Sequence, residues 1–144
     1  VIRTSGLYGV AGSRAKGGNF VEIMIRLAKD GRPIRVVNDQ VLTPTYTRDL
    51  AEKIKELLQT EAYGLYHITN SGQCSWYEFA AKIFELLGLK PDLKPTTTAE
   101  YGAKARRPAY SVLARNKLKT IGLNDLRSWQ EALKAYFQER ASKK

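Results

Sequence analysis

The chain has 144 residues and a formal net charge of +10 at pH 7, with 43% hydrophobic and 26% charged residues. That composition can bury a core and excludes a disordered polymer; no apolar run nears the roughly 20 residues of a membrane span, and no charged start followed by an apolar stretch reads as a leader. The lone cysteine, Cys74, excludes an internal disulfide and a cysteine-rich metal site, and it fits a reducing compartment, so a cytoplasmic location is expected.

The first residues, VIRTS, read as a strand with only two apolar residues before Arg3. Phe20, Ile23, Met24, Leu27 and Ala28 recur at helical spacing, and Gly31 and Pro33 supply a stop, so residues Asn19 to Lys29 are expected to be a helix. Ile34 to Asn38 follows as a strand, Leu50, Ile54, Leu57 and Leu58 line one face of the next helix, and Gly64 to Thr69 reads as a third strand. Ser75 and Glu78 have capping-box spacing at the start of a helix that buries Trp76, Phe79, Ala80, Ile83 and Leu87, with Gly88 suited to its left-handed end. Pro91, Pro95 and Pro108 predict loop or short strand from Leu89 to Pro108. A second box, Ser128 and Glu131, opens the last helix, with Trp129, Ala132, Leu133, Tyr136 and Phe137 on one face. Strands alternating with helices predict an α/β arrangement with few parallel strands and about four helices. Three strands are few for that many helices, and the expectation is that an N-terminal half of the fold is absent.

The excess of Lys and Arg calls for an anionic partner. Much of it, as in RDLAEKIK from Arg48 to Lys55, lies in mixed-charge helical stretches that read as solvated faces, so nucleic-acid binding is not expected. Gly6, Gly9 and Gly12 have the spacing of a dinucleotide-binding loop, and Asp39 could mimic its ribose-binding acid. In a working fingerprint, however, the glycines follow a full strand and open directly into a helix, whereas here SRAKGG intervenes. None of the eight tyrosines is followed four residues later by Lys, so the Tyr-x-x-x-Lys pair that protonates a carbonyl oxygen in short-chain reductases is not in this chain. No His, Cys, Asp or Glu cluster has metal-ligand spacing. His67 reads as a packing residue in a strand, and the Trp76, Tyr77 and Phe79 cluster as core.

The segments VVNDQVLTPTYTRDLA (Val36 to Ala51), RTSGLYG (Arg3 to Gly9), GNFV (Gly18 to Val21) and ARRPAYSVL (Ala105 to Leu113) together resemble the dTDP-4-dehydrorhamnose reductases, extended short-chain dehydrogenase/reductases. The resemblance covers essentially the whole chain but only the C-terminal half of that family. It implies the C-terminal part of an NAD(P)-binding Rossmann-like fold, with the first and third strands at the edge of its sheet and the cofactor-binding half absent. By this resemblance the glycine segment is a loop beside the nicotinamide, Thr4 and Ser5 meet the NADPH carboxamide, and Gly6 stands where the family commonly carries a Trp that packs on the sugar. Asn19 resembles a phosphate-contacting residue and is equally suited to cap its helix. Asp39, Gln40, Pro44 and Thr45 continue the family pattern, with Leu42 in place of its usual Gly, while Thr45 or Thr47 could instead cap the next helix and Asp49 top its dipole. Arg107 or its neighbour Arg106 occupies the place of a diphosphate-binding guanidinium.

The function implied is that of a substrate-binding fragment, inactive alone, whose parent reduces the 4-keto group of a dTDP-sugar with NADPH. A homodimer is a possible partner arrangement, with Mg²⁺ at its contact in some relatives. Two other readings remain open from the residues: a non-catalytic regulatory subunit like the methionine adenosyltransferase partner of the same fold family, and a basic nucleic-acid-binding module.

Overall fold

A computed structural model describes residues 1–11, 17–103 and 105–143. Along the chain the elements are β1 (Ile2–Arg3), β2 (Leu7–Tyr8), α1 (Phe20–Lys29), β3 (Ile34–Val37), β4 (Val41–Leu42), β5 (Thr45–Tyr46), α2 (Thr47–Leu58), β6 (Tyr66–His67), β7 (Cys74–Ser75), α3 (Trp76–Leu87), β8 (Leu93–Thr96), α4 (Thr98–Tyr101), α5 (Asn116–Thr120) and α6 (Trp129–Ser142). The strands pair as β1 with β6, β2 with β5 and β3 with β8, all parallel, and β4 with β7 antiparallel. The expected α/β class and its four long helices are found. The expected three strands become eight among the described residues, because most span two residues and so leave no period in the sequence.

The chain divides into two compact units, one made of Val1–Val10, Thr43–Gln73 and Val112–Lys144, the other of Ala11–Leu42 and Cys74–Ser111. In the first unit, Ile2 lies opposite Tyr66 and Arg3 opposite His67. Leu50, Leu57, Tyr66, Ile68, Leu118 and Leu126 form a buried cluster there, joined by Ile2 and Ile54. Leu58, expected on that face, is 79% exposed, while Lys53 is buried and paired with Glu56; the helix is rotated so that the Lys stem covers apolar surface. Tyr8, Tyr46 and Tyr136 pack as a second cluster, Tyr8 stacked on Tyr46 at 5.8 Å and edge-on to Tyr136 at 5.3 Å.

The start of α2 departs from expectation. Its cap is Tyr46, with no side-chain cap bond, so neither Thr45 nor Thr47 caps it. Asn70, fully buried, serves instead: its Oδ1 accepts from the Tyr46 amide at 2.8 Å, and its Nδ2 donates to Asp49 at 2.8 Å and to the Arg127 carbonyl at 3.2 Å. Asp49 does lie in the first turn, but it is buried and held by Arg127 as well.

In the second unit, α1 and α3 pack together and α3 packs on β3, burying Val21, Met24, Ile25, Ile34, Val36, Phe79, Ala80 and Ile83. Asn19 caps α1, its Oδ1 accepting from the Glu22 amide at 3.0 Å. Both expected capping boxes, Ser75 with Glu78 and Ser128 with Glu131, are formed, and Gly88 ends α3 at φ 65°. The Pro-rich stretch contributes β8, which pairs with β3 over four residues, and a third capping box, Thr97 with Glu100, which starts α4. Pro95 is compatible with that strand at an edge, where no ladder donor is needed.

Candidate functional site

The two halves of the sequence-predicted site lie in different units. Thr4, Ser5, Gly6 and Thr45 belong to the first unit, and Asn19, Gln40, Arg106 and Arg107 to the second. In the first, Gly6 sits at φ 59°, a left-handed conformation that side chains rarely adopt, and its carbonyl accepts from the Thr45 amide at 2.9 Å. A Trp here would carry backbone strain, so the glycine suits this turn. Thr45 is fully buried, its hydroxyl turned to the Thr43 carbonyl at 3.3 Å, and its contact with Gly6 is made by the backbone amide alone. The Thr4 hydroxyl is buried without a hydrogen-bond partner among the described residues, which makes this strand end suited to an incoming polar group such as a carboxamide.

The glycine triplet does not form a phosphate loop over its described part. Gly6 and Gly9 flank β2, which runs parallel to β5, and a Cβ on Gly9 would lie 2.0 Å from the Thr47 hydroxyl. Close packing therefore accounts for Gly9. Gly12 and the following residues 13–16 lie outside the described residues.

The second unit carries the stronger candidate, a cleft of about 420 Å³ lined by Phe20, Met24, Arg35, Val36, Val37, Gln40, Trp76, Tyr101, Ala103 and Arg107. Its floor is apolar, from α1 and β3. Phe20 and Trp76 form an aromatic wall with centroids 4.7 Å apart, backed by the buried Phe79 at 5.6 Å from Phe20. Phe79 is core, as expected; Trp76 is only half-buried and faces the cleft. Two guanidiniums, Arg35 and Arg107, give the lining positive charge, Arg35 being steadied by Thr96 at 3.4 Å and Glu100 at 3.9 Å. Arg106 is exposed and lies outside this lining. Such a cleft can stack a planar ring and neutralise an adjacent polyanion.

Gln40 and Asp39 meet at Thr98. Asp39 accepts from the Thr98 amide at 2.9 Å to each carboxylate oxygen and from its hydroxyl at 2.7 Å, and Gln40 Nε2 donates to the same hydroxyl at 2.9 Å. The Thr98 side-chain and backbone bonds hold the Asp39 carboxyl below the usual carboxylate range. Arg35 and Thr98 were not singled out from sequence. Arg35 stands in a strand flanked by apolar residues, and Thr98 in a proline-rich stretch; only the pairing of β3 with β8 brings them to one place.

Elsewhere, His67 Nδ1 contacts the Ala114 carbonyl at 3.1 Å, while its Nε2 is buried without a hydrogen-bond partner among the described residues. A cleft of about 440 Å³ in the first unit is lined by Tyr46, Arg48, Glu52, Arg127 and Glu139, but these groups already serve one another or Asp49. Among the described residues, no group of three or more His, Cys, Asp or Glu is arranged to hold a metal ion. None of the helices described is long and apolar enough to cross a membrane.

An α/β fold of short, mostly parallel strands that carries an aromatic, cationic cleft is the class these features define. The chain belongs to the RmlD substrate binding domain family, which matches residues 1–142. It is 49% identical over 142 residues to the spore coat polysaccharide biosynthesis protein SpsK of Bacillus subtilis, covering 99% of this chain and 48% of that protein. It is 41% identical to a dTDP-4-dehydrorhamnose reductase of Streptomyces griseus, covering 95% of this chain and 45% of the relative. Among solved structures, a dTDP-4-dehydrorhamnose reductase from Bacillus anthracis in complex with NADP superposes with TM-score 0.90 at 46% identity, over 96% of this chain and 47% of that one. The chain thus spans about half the length of the relatives it matches. The regulatory-subunit and nucleic-acid readings find no support among these relatives.

Proposed function

We propose that this chain is the substrate-binding portion of an NADPH-dependent reductase acting on the 4-keto group of a dTDP-sugar, in dTDP-L-rhamnose biosynthesis. The observation that carries the reading is the cleft that combines the Phe20–Trp76 wall with the Arg35 and Arg107 guanidiniums. Its size suits a nucleotide. The rings pack on the base, and Arg107 meets the diphosphate through its planar fork. Asn19, through the start of α1, and Gln40, on the lining, complete the polar contacts. NADPH, when bound by the complete protein, supplies the hydride. Toward it this chain offers the Thr4 and Ser5 strand end, which holds the carboxamide, and the Gly6 turn, which leaves room on the sugar side. With no Tyr-x-x-x-Lys pair in the sequence, the chain binds and orients without turning substrate over. Homodimerisation and residence in the cytoplasm belong to the same reading.

Calorimetric titration with dTDP tests it. Binding that Arg107→Ala weakens by about tenfold or more, the loss of one charge-assisted contact, is the expected result. Absence of any dTDP binding would overturn the reading. A second arm mixes the chain with NADPH and keto-sugar, where absorbance of the reduced cofactor should stay constant.

A further inference from the structure

The contacts among Asp39, Thr98 and Gln40 have a direction. An ionised carboxylate only accepts, so the single hydrogen of the Thr98 hydroxyl goes to Asp39, 2.7 Å away. That hydroxyl is left with lone pairs alone, and the Gln40 amide 2.9 Å from it must present its NH₂. A flipped amide would set oxygen against oxygen. The Gln40 carbonyl Oε1 is thereby turned away from Thr98, and it has no hydrogen-bond partner among the described residues. Gln40 lines the same cleft as Phe20, Trp76 and Arg107.

We propose that Gln40 is a specificity-determining residue whose Oε1 accepts a ring N–H from the base in the cleft, and that Thr98 and Asp39 are positioning residues that lock the amide in this orientation. The ligand class follows from hydrogen-bond polarity. Thymine and uracil carry a donating N3–H, whereas cytosine presents a bare N3 lone pair that would face Oε1 acceptor to acceptor. The device therefore selects an imide-bearing pyrimidine and rejects cytosine. It rests on the nucleotide reading of the cleft given above and adds to it which base edge is read and by what. Charge on Arg35 and Arg107 is blind to that difference, since it meets the diphosphate common to all such ligands.

The test compares dUDP with dCDP, which share sugar and diphosphate and both lack the thymine methyl, by calorimetry on the full chain. The expected result is a preference for dUDP of about tenfold or more, the size of one hydrogen bond replaced by a repulsive contact. Thr98→Val keeps the backbone amide bond to Asp39 but removes the hydroxyl, and should cut the preference to about twofold or less, while Thr98→Ser should retain it. Asp39→Ala removes the acceptor of the Thr98 hydroxyl, frees that hydrogen to turn toward Gln40, and should relax the preference in the same way. A ratio of affinities is insensitive to a general loss of folded protein, so a merely structural role for Thr98 would leave it unchanged. Equal binding of dUDP and dCDP, or a preference that survives either Thr98→Val or Asp39→Ala, overturns this inference and leaves the nucleotide cleft standing. If neither nucleotide nor dTDP binds, the proposed function falls and the inference falls with it.

Discussion

Asp49 and Arg127, 78 residues apart in the chain, meet as a two-pronged ion pair, Nε to Oδ2 at 2.9 Å and Nη2 to Oδ1 at 2.5 Å. The carboxylate is 7% exposed and the guanidinium side chain 42%; Asp49 holds the guanidinium above its usual range. Removal of the Arg side chain leaves the buried carboxylate with the Asn70 amide but no opposite charge. Because the guanidinium is part-exposed, Arg127→Ala is expected to lower stability by about 1–2 kcal/mol, between the exposed and fully buried cases, and Arg127→Lys to recover only part because a single ammonium cannot span both oxygens. Urea denaturation midpoints measure both. A loss within experimental error for Arg127→Ala would show that water solvates Asp49 as well as Arg127 does.

The two long helices that open on capping boxes, α3 and α6, should differ in their dependence on the cap. Ser75 Oγ accepts from the Glu78 amide at 3.0 Å and also donates to Asn38 at 2.7 Å, whereas among the described residues the Ser128 hydroxyl is engaged with Glu131 alone. Ser128→Ala should cost about 1 kcal/mol and Ser75→Ala about 2 kcal/mol, the second losing a further hydrogen bond at a buried position. Chemical denaturation of the two variants side by side gives the ordering, and equal losses would remove the role assigned to Asn38.

Acid should weaken the fold through identifiable carboxylates. Thr98 lowers the pKa of Asp39, Thr97 and Thr96 that of Glu100, and Ser128 that of Glu131, in each case by hydrogen bonds to the charged form. A folded pKa below the unfolded one gives stability that is present above the unfolded value, roughly 4, and lost as pH falls through the folded value. Melting temperatures should be nearly level from about pH 7 to pH 5 and decline below about pH 4. Glu131→Gln should flatten part of that decline. A curve level to pH 3 would count against these contacts.

Cys74 should resist modification in the folded chain. Burial, with a smaller contribution from the charge of Glu78, pushes its thiol up to about 12, so little reactive thiolate exists near neutral pH. A thiol-specific disulfide reagent at pH 8 is expected to react about a hundredfold more slowly with the native chain than with the chain in denaturant. Comparable rates would mean that this part of the second unit opens readily.

What was legible in the sequence was what is encoded locally. Ser75 with Glu78, Gly88, and Ser128 with Glu131 each specify a helix end within a few residues, and all were found where expected. Thr97 with Glu100 carries the same spacing, but the surrounding prolines drew the reading to loop or strand. The exposed Leu58 and buried Lys53 show the limit of periodicity, since a helix rotated slightly about its axis trades one residue of its stripe for another. Asn70 as the group that holds the start of α2 could not be read, because its partner Tyr46 lies 24 residues away. Arg107 was singled out through a family pattern, and it lies on the lining of the cleft. Arg35 acquired meaning only once β3 and β8 were paired.

The first unit is assembled from three separated stretches of chain, and the second from two that end at Ser111. On a ribosome the residues emerge in order, so the second unit has all its parts before the first does. The strand Ile2–Arg3 can meet Tyr66 early, yet Asp49 must wait for Arg127 and the Tyr8–Tyr46 pair for Tyr136. The unit that holds Ile2–Arg3 is thus completed after the other, and of its described elements α6 is the last to emerge.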